Sequence, residues 1–125
     1  MIIGIGTDLM EIERIQQSMT RFGDRFLTRV FTPREIQYCQ RKKHAAESFA
    51  ARFAAKEAGA KALGTGISRG VGWLELEVLR EPGDRPTLQL TGRAQDRARW
   101  LGVATISLSL SHSRDTALAV VIMEN

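Results

Sequence analysis

A carboxylate and an ammonium stand one helical turn apart at Glu57 and Lys61, and a Gly64-Thr65-Gly66 turn follows them. A carboxylate can hold a hard metal ion, and an ammonium can neutralise phosphate. A glycine-rich loop can offer backbone N–H groups to phosphate oxygens. A second carboxylate, Asp8, closes Gly4-Ile5-Gly6-Thr7-Asp8 after an apolar start. Each group also has a plainer reading. Asp8 suits the N-cap of a following helix. Glu57 and Lys61 form an i,i+4 pair in the favourable order, which on a solvated helix face contributes only ~0.3–0.5 kcal/mol. Two details weigh against full solvation. Phe53 and Phe49 lie one and two turns before Glu57, close to its face. The residues around the pair are small (Ala54, Ala55, Ala58, Gly59, Ala60, Ala62), so this helix can pack very close to another backbone, such as the Gly4/Gly6 strand.

Other candidates are local. His112 lies in Ser111-His112-Ser113-Arg114, where hydroxyls and an arginine suit an anion, although a turn histidine is more often simply solvated. A triad of Ser111, His112 and Asp115 is rejected, because adjacent positions rarely point at one another and no G-x-S-x-G elbow exists. The loop over 64–70 does not end as a Walker A loop does, and Gly4-Ile5-Gly6 does not extend to G-x-G-x-x-G. Arg14, Arg21 and Arg25 form a basic stripe, either a solvated face or a docking surface for an acidic helix or for phosphates.

The elements that must position these groups follow from periodicity. Ile2, Ile3 and Ile5 predict a short buried strand, with close backbone approach at Gly4 and Gly6 and Asp8 where it gives way to a helix. The spacing of Ile12, Ile15, Met19 and Phe22 predicts an amphipathic helix stopped by Gly23. Thr32-Pro33-Arg34-Glu35 is a capping box with proline at the first helical position, opening a helix to about residue 40. A basic connector, Arg41-Lys42-Lys43-His44, leads to an Ala-rich helix over 46–63 ended by Gly64. Leu74, Leu76 and Val78 alternate with Glu75 and Glu77, which predicts a half-exposed strand. A turn over 81–86 and an antiparallel strand over 87–90 come next. Thr91 caps a helix carrying Ala94, Ala98 and Leu101, with Gly102 as its stop. A strand in which Ile106, Leu108 and Leu110 alternate with serines, a turn from His112 to Asp115 and an apolar strand over 117–122 complete the chain. Strands and helices do not strictly alternate. The expected class is α+β, a mainly antiparallel sheet packed against the long Ala-rich helix and shorter helices.

The 125 residues suit one domain, 1–125. With 43% hydrophobic and 26% charged residues the composition is globular, and no run reaches the ~20 apolar residues of a membrane span. No basic, apolar leader pattern opens the chain, so a cytoplasmic protein without membrane partners is expected. Cys39, the only cysteine, can make no internal disulfide and reads as a buried small hydrophobe. The net charge of +4 suits an anionic partner, while the 6% aromatics do not interleave with basic residues as single-stranded nucleic-acid binding would want.

Three segments together resemble one family. They are Gly4-Ile5-Gly6-Thr7-Asp8-Leu9 with Glu11 and Arg14-Ile15; Arg52-Phe53-Ala54-Ala55-Lys56-Glu57-Ala58 with Lys61-Ala62-Leu63-Gly64-Thr65-Gly66; and Leu108-Ser109-Leu110-Ser111-His112-Ser113. In order and spacing they resemble the bacterial holo-[acyl-carrier-protein] synthases, small phosphopantetheinyl transferases. The resemblance implies that the phosphopantetheine arm of coenzyme A moves to a serine of an apo acyl carrier protein, releasing adenosine 3′,5′-bisphosphate. It implies Asp8 and Glu57 as ligands of Mg²⁺, which cancels pyrophosphate charge. Glu57, directly or through water, would also accept the serine proton, and Lys61 would stabilise or protonate the departing phosphate. Arg52 and His112 would grip the 3′-phosphate of coenzyme A, with Arg41, Lys42, Lys43 and His44 as weaker additions. The N–H groups of Gly64, Thr65 and Gly66 would line the nucleotide pocket. The Arg14/Arg21/Arg25 stripe would dock the acidic carrier. The resemblance further implies a homotrimer whose sites lie between neighbouring subunits. The alternative from the residues alone is a non-catalytic nucleotide- or nucleic-acid-binding module.

Overall fold

The computed structural model describes every residue except Glu81. The apolar start forms β1 (Ile2–Glu11), longer than the short strand predicted, and runs directly into α1 (Ile12–Phe22). Next come α2 (Asp24–Val30), α3 (Pro33–Gln40) and the Ala-rich α4 (Ala45–Ala62). A 3₁₀ turn (Trp73–Glu75) precedes the hairpin of β2 (Leu76–Leu79) and β3 (Thr87–Leu90). The chain ends with α5 (Gly92–Leu101), β4 (Thr105–His112) and β5 (Thr116–Glu124). The three long strands form an antiparallel sheet in the order β1-β5-β4, and β2 pairs antiparallel with β3 in a second, two-stranded sheet. The α+β class with antiparallel pairing is the one the sequence predicts.

Helix α4 is the axis of the molecule, and its composition explains why. Apolar clusters lie on two sides of it. One combines Ala54, Ala58 and Leu63 with Leu76, Leu88, Ala94 and Val121. The other combines Phe49 and Ala50 with Ile15, Leu27 and Phe31. A helix buried on several faces tolerates only small side chains where its neighbours come closest. The strand β1 comes closest of all. A Cβ at Gly4 would collide with the Ala62 carbonyl oxygen, and one at Gly6 with that of Ala58. Those two glycines bring β1 into backbone contact with the helix, as their pairing with the alanines suggests.

Local signals held where they were strong. Thr32 and Glu35 form the reciprocal capping box of α3. Gly23 and Gly102 end α1 and α5 at φ of 57° and 82°. Others were overturned. The first strand is not buried: Ile5 and Leu9 are 56% and 66% exposed, because only its other face meets α4. Asp8 is no N-cap; it lies within β1 opposite Ala119, and Glu11 precedes α1 without a side-chain cap. Helix α2 was not foreseen, because its seven residues are too few to show a helical period just after Gly23. Thr91 precedes α5 but makes no side-chain cap. The expected turn over 81–86 is described from Pro82 onward, its first residue, Glu81, lying outside the described residues. His112 ends β4 rather than sitting in the turn.

The expected alternation over 74–79 holds at Leu76 and Val78, which are buried, and fails at two positions. Leu74 is exposed and Glu77 is buried, since Glu77 accepts hydrogen bonds from Thr32 and Arg34 on α3 and its cap. A second buried carboxylate reinforces this seam. Glu35 pairs with Lys56 at 2.7 Å, accepts from the Thr32 and Val78 backbone N–H groups, and is essentially inaccessible. Lys56 also donates to the Trp73 and Leu76 carbonyls. Every polar atom of this pair has a partner, so α3, α4 and β2 are fastened in one register.

Candidate active site

The close approach of β1 to α4 delivers Asp8 to the side of Lys61. The Lys61 ammonium donates to Asp8 Oδ1 and to the Thr7 carbonyl, both at 3.1 Å. Lys61 therefore reaches across to β1, and the surface Glu57–Lys61 ion pair considered from spacing is not formed. Glu57 remains close enough to feel both groups. Burial pushes its carboxyl above the usual carboxylate range, the negative charge of Asp8 pushes it further, and Lys61 opposes them. Asp8 Oδ2 is buried and has no hydrogen-bond partner.

Two converging carboxylates, one with an orphaned oxygen and the other with a raised proton affinity, are short of positive charge. One ammonium does not supply enough. An all-oxygen donor pair of this kind suits a hard divalent cation such as Mg²⁺, which prefers one or two carboxylates and fills its other positions with water and substrate phosphate oxygens. The described residues contain no group of three or more His, Cys, Asp or Glu side chains arranged around a common metal position, so an ion held here would keep such open positions. On these observations Asp8 and Glu57 fit the role expected of them.

The loop over 64–66 does not present its N–H groups as expected. Gly64 N–H donates to the Lys61 carbonyl, and the N–H groups of Thr65 and Gly66 both donate to that of Ala60. All three cap the C-terminus of α4, where free carbonyls need donors. Arg97 adds a fourth donor, from Nε to the Leu63 carbonyl at 3.0 Å. What the loop still offers is room: Gly66 has φ of 63°, and nothing lies near the position of a Cβ there.

Arg52 stands apart from the carboxylates. Five helical positions separate it from Glu57, a rotation of about 140° around α4, so the two face different sides. Arg52 instead lines a cleft of about 350 Å³ with Tyr38, Lys42, Ser48 and His112. His112 Nε2 lies 3.2 Å from Glu47 Oε1 on the rim. Lys43 and His44 belong to the same cleft, while Arg41 lines an adjoining one with Arg80 and Lys42. The structure thus joins Arg52 to His112, as expected, and separates both from Asp8, Glu57 and Lys61 within one chain. Arg80 and Tyr38 escaped notice in the sequence. Arg80 arrives through the β2–β3 hairpin, which no local pattern predicts. The i,i+4 spacing of Tyr38 and Lys42 was a usable signal.

Arg14 and Arg21 line a groove on α1 with Ser18, Phe22, Phe26 and Phe53, and the Arg21 guanidinium lies 5.1 Å above the Phe22 ring. Arg25 sits on α2 and does not line it. The outer face of the three-stranded sheet is apolar along β1 and β5, while β4 presents Ser107, Ser109 and Ser111 there. Ile5 and Leu9 of β1, both exposed, stand in register with the half-buried Ile122 and Leu118 of β5.

With this geometry in view, residues 4–121 match the 4′-phosphopantetheinyl transferase superfamily. The holo-[acyl-carrier-protein] synthase of Koribacter versatilis is 55% identical over 125 residues, which is 100% of both chains. The crystal structure of the holo-[acyl-carrier-protein] synthase from Neisseria meningitidis superposes with a TM-score of 0.90 at 35% identity, over 100% of each chain. That of the Helicobacter pylori synthase in complex with coenzyme A gives 0.85 at 33% identity, over 96% of this chain and 99% of that one.

Proposed function

Since this chain belongs to the 4′-phosphopantetheinyl transferase superfamily, we infer that the site on α4 and β1 serves the reaction of that family's holo-[acyl-carrier-protein] synthases. The chain transfers the 4′-phosphopantetheine arm of coenzyme A to a serine of an apo acyl carrier protein. The observation that carries the assignment of chemistry to residues is the convergence of Asp8, with its unpartnered Oδ2, on Glu57 and Lys61.

Asp8 and Glu57 would hold Mg²⁺, which supplies positive charge to the pyrophosphate and its leaving group. Glu57, directly or through a water, would accept the proton of the carrier serine. Lys61, half exposed, is free to leave Asp8 and neutralise the departing phosphate. The cleft of Arg52 and His112 takes the 3′-phosphate of coenzyme A, because a buried guanidinium facing a cleft with further cations is suited to a phosphate monoester. That cleft and the carboxylates face different sides of α4. This division supports a site shared between neighbouring subunits, with one chain giving the carboxylates and the next the phosphate cleft. The exposed Ile5 and Leu9, beside half-buried Leu118 and Ile122, support assembly into a homotrimer, since apolar sheet faces are seldom left open to water. The whole chain acts as one domain, its two core clusters sharing α4. No helix among the described residues is long and apolar enough to cross a membrane, and the reaction belongs in the cytoplasm with its carrier.

Docking of the acidic carrier uses Arg14 and Arg21 around the Phe22/Phe26/Phe53 groove, with Arg25 as a flanking charge. Arg14→Glu or Arg21→Glu should raise KM for the carrier and leave that for coenzyme A unchanged; unaltered carrier kinetics at low salt would remove this surface from the assignment. The decisive experiment is intact-mass spectrometry of an apo acyl carrier protein incubated with this chain, coenzyme A and Mg²⁺. A gain of one phosphopantetheine group that EDTA abolishes is expected. No gain with several carriers would refute the transfer, and a gain unaffected by EDTA would refute the metal role of Asp8 and Glu57.

A further inference from the structure

We propose that Tyr38 is a positioning residue for coenzyme A recognition, its ring holding the Arg52 and Lys42 cations side by side in the cleft that takes the 3′-phosphate. The proposal rests on that reading of the cleft.

Arg52 is the starting point. Its residue is only 4% exposed, yet it forms no ion pair with a carboxylate among the described residues. Its Nη1 donates to the Ser48 hydroxyl at 3.2 Å and to the Ser48 carbonyl at 3.4 Å, while its Nε is buried without a partner. A buried charge so poorly compensated is costly unless something else balances it. The ring of Tyr38 is the balancing group in the ligand-free chain, with its centroid 4.2 Å from the guanidinium carbon. Lys42 Nζ lies 4.6 Å from the same centroid. One aromatic ring thus carries two cations, and both line the cleft with Ser48 and His112.

The arrangement has a chemical consequence. Two like charges on one ring repel each other, and the electron-rich ring offsets that repulsion without neutralising either charge. A phosphate monoester, with close to two negative charges, neutralises both at once. Holding the cations in advance also removes rotamer freedom that two long side chains would otherwise lose on binding. The phenol is in contact with the same charges. Burial pushes it up, but the Lys42 hydrogen bond and the charges of Arg52 and Lys42 outweigh this and leave it below its ordinary value.

The scaffold fixes the ring as well. Tyr38 lies one turn after Glu35 on α3, and Arg52 one turn before Lys56 on α4. The buried Glu35–Lys56 pair clamps these helices at that level, so the ring cannot shift relative to the guanidinium without straining the pair. Tyr38 is placed with the phosphate cleft and not with Asp8, Glu57 and Lys61. Its effect therefore belongs in KM for the donor and not in kcat.

The test compares coenzyme A with 3′-dephospho-coenzyme A as donors for the wild type and for Tyr38→Leu, Tyr38→Phe and Lys42→Met. The wild type should favour coenzyme A. In Tyr38→Leu, KM for coenzyme A should rise about tenfold, with kcat within about twofold and KM for the dephospho donor unchanged. Tyr38→Phe keeps the ring and should keep most of the preference. Lys42→Met, at an exposed position, should lose part of it whether or not the leucine variant folds. If both donors weaken equally in Tyr38→Leu, or the preference survives intact in Tyr38→Leu and Lys42→Met, the proposal is overturned. A wild type that does not distinguish the two donors would overturn the 3′-phosphate reading itself, and the role of Tyr38 with it.

Discussion

Lys56 and Lys61 lie five residues apart on α4, and each meets a carboxylate brought by another element. Lys56 and Glu35 are both inaccessible, and every one of their polar atoms is satisfied. Lys61 and Asp8 are partly open, and Asp8 keeps an oxygen without a partner while Glu57 stands beside it with a raised proton affinity. The first pair has no capacity left for a ligand, so it can only hold the fold. The second is incomplete, and the positive charge it lacks is what the proposed metal and phosphorylated substrate would supply. Satisfaction of the polar atoms, and not the residue types, separates structure from chemistry along this helix.

That contrast can be broken in several ways. Lys56→Met should give the largest effect. It leaves Glu35 buried and unpaired, with an expected loss of about 3–5 kcal/mol and a fall in Tm of about 10 °C or more. Lys61→Met should cost less than about 1 kcal/mol in the same melts. Equal losses would erase the distinction.

Glu57→Gln should reverse the pattern, lowering transfer about 100-fold or more while leaving Tm unchanged or slightly higher. The sign follows from the raised carboxyl. Ionised Glu57 is disfavoured in the folded chain, so its contribution to stability is present below the ordinary carboxylate pKa and lost as pH rises through the raised value. Glutamine does not lose it. Metal-free melts at acid and neutral pH should show the variant gaining on the wild type as pH rises, and a variant that melts lower at neutral pH would show Glu57 to be structural.

Mg²⁺ at about ten times its Kd should stabilise the wild type by about 1.4 kcal/mol and Asp8→Asn hardly at all. Equal shifts in both proteins would place the ion elsewhere.

Glu77 gives the smallest effect and a useful intermediate case. Burial pushes its carboxyl up, but hydrogen bonds from Arg34 and Thr32 and the charges of Arg34 and Lys56 prevail and hold it below the ordinary value. Its stabilisation should be present above the unfolded carboxylate pKa and vanish as pH falls through the lowered one. Urea denaturation should therefore find Glu77→Gln weaker by about 1 kcal/mol near neutrality and indistinguishable from the wild type in strong acid. A gap that persists in acid would mean that lost packing, not charge, is responsible.

Much of the fold was legible because its signals are local. The Thr32/Glu35 capping box, the glycine stops at Gly23 and Gly102 and the alternation along β4 each involve residues within a turn or a strand of one another. The misreadings arose where a distant partner decided the outcome. Glu77 looked exposed by alternation, yet Arg34 and Thr32 draw it inward. Lys61 looked paired with Glu57 by helical spacing, yet the strand that Gly4 and Gly6 admit offers it Asp8. The Gly64–Gly66 N–H groups looked available to phosphate, yet the end of α4 takes all three.

By itself, the sequence determined the family and singled out the candidate residues in its motifs, because residue type and spacing are properties of the chain. Only the tertiary structure decided how those residues are divided. Asp8, Glu57 and Lys61 gather on one side of α4 and Arg52 and His112 on another, since side-chain direction depends on helical rotation and on which strand packs where.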